Sequence, residues 1–346
     1  MKIAVVGAGI HGLCTAKSLA TRGHDVTVFE QHRSGNPFGS SHGRTRIVRQ
    51  AYPDQFYTEI LLKGHELWYK LEAETATKLI HEVGLLFVAQ KDEPELWHEL
   101  EALENLKISH KVLTQKDIRQ VHSHMIFQED EVAVMTLSAG WADVPSILAA
   151  LQQRGSALGA RFVQERILNL EELTERRGFD RVILTAGAWV TKFCDLNVKT
   201  TLQTFGYVDV AMQGPVWIEG FGDHMYGFPS ETNSRASKIG FHTAGPETDP
   251  DTPDRIPQEN AMEAIKACSR RRFGVEATIV ESSACLYTTA DNDDFRICWL
   301  NDQILMASPC SGHGFKFGPW MGEFLSDIIE QKDDLANWPR FQADFA

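Results

Sequence analysis

The chain has no apolar run near the ~20 residues that a bilayer-spanning helix requires. Its start, MKIAVVGAG, shows no signal-peptide cleavage pattern. A soluble, cytoplasmic protein without a membrane partner is expected. Positive charge is scarce as well: 34 Lys and Arg face 47 Asp and Glu, a formal net charge of −13, which argues against nucleic acid as a partner. The one dense basic run, Arg270, Arg271 and Arg272, follows a helical pattern from about Pro257 to Cys268. Cations there complement the helix macrodipole. Cys14, Cys194, Cys268, Cys285, Cys298 and Cys310 lie without CxxC spacing, so neither a disulfide framework nor a metal site is indicated. Internal repeats and low-complexity linkers are missing too. What is present is an acidic chain of 346 residues, 43% hydrophobic, longer than one core usually serves, and two domains are expected.

The first motif lies at the start. Lys2 to Val6 is an apolar run of strand type, GAGIHG follows, and a helical pattern continues through Leu13, Ala16, Leu19 and Ala20. Gly7, Gly9 and Gly12 thus fall in G-x-G-x-x-G spacing between a strand and a helix, where the spacing becomes specific. Gly7 permits the tight turn, Gly9 lets a pyrophosphate reach the backbone, and Gly12 allows close helix–strand packing. A second strand, DVTVFE, ends in Glu30, which suits ribose hydroxyls and repels a 2′-phosphate.

This motif serves NAD and FAD alike. Evenly spaced βα units, as an NAD domain would continue, do not follow. Instead comes the polar, irregular QHRSGNPFGSSHGRTRIVRQAY, and a loop this long in a compact domain is usually functional. It carries His42, Arg44, Arg46 and Arg49, donors suited to an anionic cofactor or a carboxylate; a solvated basic loop fits the same residues. Downstream, RVILTAGAW (181–189) is a strand running into a small-residue turn, after a helix over about 144–158. Near the end, CSGHGFKFGPW (310–320) sets Gly312 and Gly314 beside Lys316. Glycines permit close approach of another molecule, although a plain turn would read the same way.

Four separated stretches, GSSHGRTRIVRQAY, SKIGFHT (237–243), CLYT (285–288) and SGHGFKF (311–317), occur in an order that resembles the monomeric sarcosine oxidase family, with N-methyltryptophan oxidase, pipecolate oxidase and, more distantly, the amadoriases. The resemblance covers nearly the whole chain. It implies FAD as cofactor, attached through its 8α-methyl to Cys285, chemistry that calls for an accessible thiol of low pKa. By residue type Cys298 and Cys310 are rivals, and a small buried hydrophobe is the plain alternative. The resemblance places Lys238 near flavin N5, where a fixed cation lowers the barrier to oxygen reduction; a strand lysine otherwise points to solvent. It assigns Arg49 and Lys316 to the substrate carboxylate, His242, Tyr226 and Tyr287 to the substrate cavity, and His42, Thr45 and Arg46 to the flavin. Gly312, Gly314, Phe315 and Lys316 would bring backbone N–H groups against the flavin ring at a helix start.

Three departures from the family pattern stand out: Arg44 in place of an acid, Pro309-Cys310 before SGHG, and Cys298-Trp299 in FRICW. Several of these changes, with some of the eight tryptophans, are expected near the cavity. The implied fold is an α/β FAD-binding domain of Rossmann, glutathione-reductase-like type from 1–80, 142–197 and 286–346. An α+β substrate domain from 81–141 and 198–285, with an antiparallel sheet and helices on one side, completes a D-amino acid oxidase-like architecture. The expected activity is oxidation of a secondary or N-substituted α-amino acid by a monomer, with O2 reduced to hydrogen peroxide. The alternatives are an FAD dehydrogenase serving another electron acceptor, and a flavin-binding protein without turnover.

Overall fold

In the computed structural model, which describes residues 1–33, 35–230 and 235–343, the chain starts in the middle of a six-stranded sheet. Its order is β16 (Arg296–Asn301), β17 (Ile304–Ser308), β10 (Arg181–Leu184), β1 (Lys2–Val6), β2 (Asp25–Glu30) and β9 (Arg161–Gln164). All neighbours pair in parallel except β16 with β17. Strands covered on both faces read as continuous apolar runs, and β1 and β10 do so. Ile3 and Val5 face a core shared with α1 (Ile10–Thr21), α5 (Val144–Ala157) and α8 (Gly318–Ile329), while Ala4 and Val6 face a second core with Leu173 of α6 (Glu171–Glu175). Helix α2 (Gln55–Thr75), capped by Asp54 accepting from Phe56 N, lies on α8. Helices α1 and α8 approach through glycine: a Cβ on Gly318 would stand 2.6 Å from Ile10 Cγ1, and one on Gly322 would stand 2.6 Å from the Cys14 carbonyl carbon.

An eight-stranded sheet runs β15 (Ile279–Thr289), β11 (Lys199–Val208), β14 (Ser237–Phe241), β13 (Met225–Gly227), β12 (Val216–Glu219), β5 (Leu85–Gln90), β7 (Glu131–Thr136) and β6 (His110–Thr114). It is antiparallel except at the β12–β5 seam, which is parallel. The antiparallel expectation holds except at this seam, where two chain segments meet: β5, β7 and β6 form one antiparallel group, the other five strands a second, and the two join edge to edge. Helices were expected on one side of this sheet, but they cover both: α3 (Pro94–Asn105) packs on the face of Leu85 and Phe87, and α4 (Gln115–Val121) and α7 (Glu259–Phe273) on the opposite face of Leu86 and Val88. A third sheet of β3 (Thr45–Val48), β8 (Gly140–Asp143) and β4 (Ile80–His81) was not anticipated; β3 lies in the stretch read as irregular loop. The divisions expected at 80/81, 141/142 and 285/286 fall inside β4, β8 and β15.

The arginines ending α7 do more than complement its dipole. Arg272 is 1% exposed and binds Glu131 Oε1 at 2.8 Å and Glu219 Oε1 at 2.5 Å, while Arg271 reaches Glu219 Oε2 at 2.8 Å. The helix is bolted to β12 and the start of β7. Among the described residues no helix is long and apolar enough to cross a membrane.

Candidate active site

A cavity of about 610 Å³ opens between the two large sheets, lined by the β1–α1 turn, the stretch after β2, the ends of β10 and β17, and side chains of β13, β14 and β15. Such a volume is typical of a cofactor or ligand site.

At its β1–α1 end, Gly7 has φ +108°, and a Cβ there would stand 2.4 Å from Thr185 O; at Gly12 it would meet Gly7 O at 1.9 Å. Both are glycine because the protein itself leaves no room. Gly9 differs: it has φ −71°, and the nearest atom to a Cβ is Ser41 Oγ at 3.3 Å. No protein backbone crowds it, and it faces the cavity at the positive end of α1. Space kept on the ligand side is what a pyrophosphate needs. Glu30 closes this end, accepting from Ala8 N at 2.9 Å and His32 N at 3.0 Å, with lone pairs left for further donors.

The loop before β3 brings His42, Thr45 and Arg46 together. His42 Nδ1 contacts Gly39 O at 2.6 Å, so Nε2 is the acceptor, and burial with Arg46 nearby pushes its pKa down to about 4. Nε2 and Thr45 Oγ1 are buried without a protein partner. Orphaned polar atoms of this kind call for a ligand or water, which fits a flavin beside them. Arg46 is tied to Ser40 O at 2.7 Å and Thr45 O at 2.9 Å, and its guanidinium lies 5.9 Å from the Phe315 ring centroid.

Cys285 and Tyr287 project from one face of β15 into the cavity, with Tyr226 from β13 and Lys238 from β14. The accessible, acidified thiol expected at Cys285 is not what stands there: it is 6% exposed, and burial pushes its pKa up, with Arg46 and Lys238 pulling the other way. Of its two rivals, Cys298 lies outside the cavity on β16, whereas Cys310 lines it; all six cysteines are free. Lys238 is 4% exposed. Its Nζ donates to Thr45 O at 3.1 Å and lies 4.3 Å from the Phe205 ring centroid and 5.0 Å from that of Phe228.

Arg49 and Lys316 converge on one residue that sequence reading passed over, Tyr52. Lys316 Nζ donates to Tyr52 Oη at 2.8 Å and to His313 O at 2.9 Å. The Arg49 guanidinium stacks 3.8 Å from the Tyr52 ring centroid. The cations draw the phenol's pKa below its usual range against the effect of burial. Burial in turn lowers the Lys316 ammonium. His242 is pushed down to about 4 by burial, then by Lys316, and is neutral at pH 7. Burial raises the phenols of Tyr226 and Tyr287.

Gly312, with φ +72°, is wedged between Tyr287 and His242, at 2.6 and 2.7 Å from an added Cβ; at Gly314 that atom would meet Pro309 O at 1.9 Å. These two glycines answer to protein neighbours first. Phe315 stacks on Trp68 with 6.4 Å between centroids, and Trp68 Nε1 donates to Lys316 O at 3.0 Å, fixing the 314–317 turn before α8.

Of the departures, Pro309 and Cys310 line the cavity but Arg44, Cys298 and Trp299 do not. Arg44 turns outward to Glu281 at 2.6 Å and lies over the Tyr207 ring. Cys298 and Trp299 sit on the edge strand β16, so they say nothing about substrate, and Trp189 is the tryptophan that lines the cavity. Besides Tyr52, sequence reading missed His11 and His313, both lining the cavity with an orphaned Nδ1, and Glu99, which faces Arg49 at 3.4 Å.

A dinucleotide turn opening into a cavity walled by a mainly antiparallel sheet defines an oxidoreductase fold of the flavin-binding class. A model of the family DAO, FAD dependent oxidoreductase, matches residues 2–328, and the chain belongs to that family. It is 27% identical to the peroxisomal sarcosine oxidase of Homo sapiens, over 94% of this chain and 90% of that protein. Among solved structures, NikD, an amino acid oxidase essential for nikkomycin biosynthesis, superposes with a TM-score of 0.86 at 21% identity, covering 100% of this chain and 98% of that one. L-proline dehydrogenase from P. horikoshii gives 0.83 at 21%, over 96% and 94%. These two establish the fold alone.

Proposed function

We propose that this chain oxidises a secondary or N-substituted α-amino acid, of the sarcosine, N-methyl, pipecolate- or proline-like or glycated class, with O2 as acceptor and hydrogen peroxide as product. The observation that carries the reading is the meeting of Arg49 and Lys316 at Tyr52 in the cavity wall. A guanidinium fork and an ammonium fix a carboxylate while leaving its α-carbon free. FAD bound in the cavity supplies the acceptor for the electrons and hydrogen leaving the substrate. The chain's residues do the rest: His242, held neutral, and Tyr226 and Tyr287, held protonated, offer no charge to compete with the clamp. Lys238 provides a fixed cation in a water-poor site, which favours oxygen over another acceptor. The proline dehydrogenase shows that the fold does not make that choice. The protein acts in this reading as a cytoplasmic monomer.

A peroxide-coupled screen of sarcosine, N-methyl amino acids, L-proline, L-pipecolate and glycated amino acids tests the reading. Peroxide release with at least one of them is expected. Silence on all, with flavin that stays oxidised under anaerobic substrate, overturns it. Peroxide-free bleaching and slow reoxidation in air would mark a dehydrogenase.

Covalent attachment through Cys285 is part of the proposal, supported by its place on the cavity wall with Arg46 and Lys238 acting on the thiol. Acid-precipitated protein is expected to stay yellow, and Cys285→Ala to release FAD into the supernatant. Retention by the variant moves the bond to Cys310 or overturns the assignment altogether.

A further inference from the structure

Arg49 already faces a carboxylate of the protein itself. Glu99 Oε2 lies 3.4 Å from Arg49 Nη1, and the Glu99 side chain is 1% exposed. It sits on the apolar stripe of α3 with Leu96, Leu100 and Leu103, all buried. A carboxylate in such surroundings is costly to keep ionised without a partner.

The segment after β3 supplies Arg49 and Tyr52, and the turn before α8 supplies Lys316, bonded to Tyr52. His242 and His313 are both neutral, pushed down by burial and then by Lys316. Strand β5 offers apolar Leu85 and Phe87, and α2 offers Leu62 and a Gln55–Asn105 hydrogen bond to α3. Glu95, one turn earlier on α3, lines the cavity. Burial raises the Glu99 carboxyl to about 7, Arg49 pulls it down, and Glu95 pushes it further up.

A substrate carboxylate arriving at Arg49 draws off part of the attraction that holds Glu99 ionised and adds a like charge beside it. Both effects drive Glu99 toward its neutral form. We propose that Glu99 is a proton-linked counter-ion of the substrate clamp, ionised above neutral pH while Arg49 has no substrate and protonated once a carboxylate occupies Arg49. The balance is simple: Glu99 carboxylate, one proton from solvent and the substrate carboxylate give Glu99 carboxylic acid with the substrate on Arg49, and no covalent bond to carbon changes. Glu99 is thus a positioning residue that acts through Arg49. The proposal rests on the clamp assignment made above.

Oxidised, flavin-loaded enzyme titrated with (methylthio)acetate, whose thioether stands where an amine would be oxidised, tests this without turnover. Calorimetry at pH 8 in two buffers of different ionisation heat is expected to show uptake approaching ~1 proton per ligand. The Kd is expected to weaken by up to about tenfold per pH unit above pH ~7, because the proton must come from an ever scarcer pool. Glu99→Gln is expected to bind with a flat pH profile and no uptake, and the methyl ester to bind the parent enzyme without uptake. Should Glu99→Gln fail to fold, Glu99→Asp is expected to move the pH at which uptake begins. Binding without uptake, the parent slope in Glu99→Gln, or an unmoved onset in Glu99→Asp overturns the role of Glu99 while the clamp stands. Failure of the flavin-loaded parent to bind the acid overturns the clamp, and the proposal with it.

Discussion

Lys238 and Glu99 are two charged side chains in places their types do not favour, and they differ in how far the sequence betrays them. Nothing in the alternation of SKIGFHT turns Lys238 inward; four-motif resemblance pointed there, and the carbonyl of Thr45 with the rings of Phe205 and Phe228 is what receives it. Glu99 was legible in principle, as a carboxylate within the Leu96, Leu100, Leu103 stripe, but its partner Arg49 is distant in sequence and no periodicity joins them. Tyr52 was overlooked for the same reason. The two ends of the catalytic cycle should separate at this scale. Lys238→Met is expected to leave anaerobic flavin reduction within about tenfold while slowing reoxidation by ~10²–10³, the loss of one electrostatic stabiliser in a dry site. Arg49→Met or Lys316→Met is expected to weaken substrate binding by about 2–3 kcal/mol with reoxidation nearly unchanged. Rapid mixing of reduced enzyme with oxygen, and of oxidised enzyme with substrate, measures the two halves. Reoxidation of Lys238→Met at the parent rate would remove the main support for oxygen as acceptor.

Among elements, β1, α1 and β2 were the most legible, since a short apolar run, spaced glycines and a helical pattern are all local. The glycine turn nevertheless combines two demands that spacing cannot tell apart. Gly7 is imposed by Thr185, and Gly12 by the Gly7 carbonyl and Thr185, whereas no backbone crowds Gly9, whose room in the proposed function is for a pyrophosphate. Gly9→Val is therefore expected to fold and to purify largely free of flavin, whereas Gly7→Val is expected to lose solubility or melt well below the parent. Equal thermal stability of the two variants would contradict this division. Helix α7 was read correctly as ending in cations, yet its meaning was not local: Glu131 and Glu219 come from two other strands. Arg272→Met strands Glu131 in the interior and leaves Glu219 to Arg271 alone, and a loss of about 3–5 kcal/mol is expected, read as a shift of the urea midpoint. A shift of only a few tenths would return Arg272 to a simple dipole partner. The parallel β12–β5 seam was illegible because it depends on how two separate antiparallel groups of strands meet.

At the scale of the whole molecule, composition gave the size class and motifs gave the cofactor end, while the placing of the cavity between two sheets came from contacts across the full chain. The lining of that cavity is drawn from the first turn, the middle strands and residues 307–316. The close glycine contact of α8 with α1 has a temporal consequence. On the ribosome, the face of α1 that Gly318 and Gly322 will cover emerges early, and its cover is made some 300 residues later, about 15–60 s at ordinary elongation rates. During that interval Ile10, Leu13 and Cys14 have no α8 to shield them, and β1 has only β2 beside it until β10 is made. Nascent chains stalled before α8 are expected to be held by chaperones and to take up no flavin, and those stalled beyond it to acquire protease resistance in a single step.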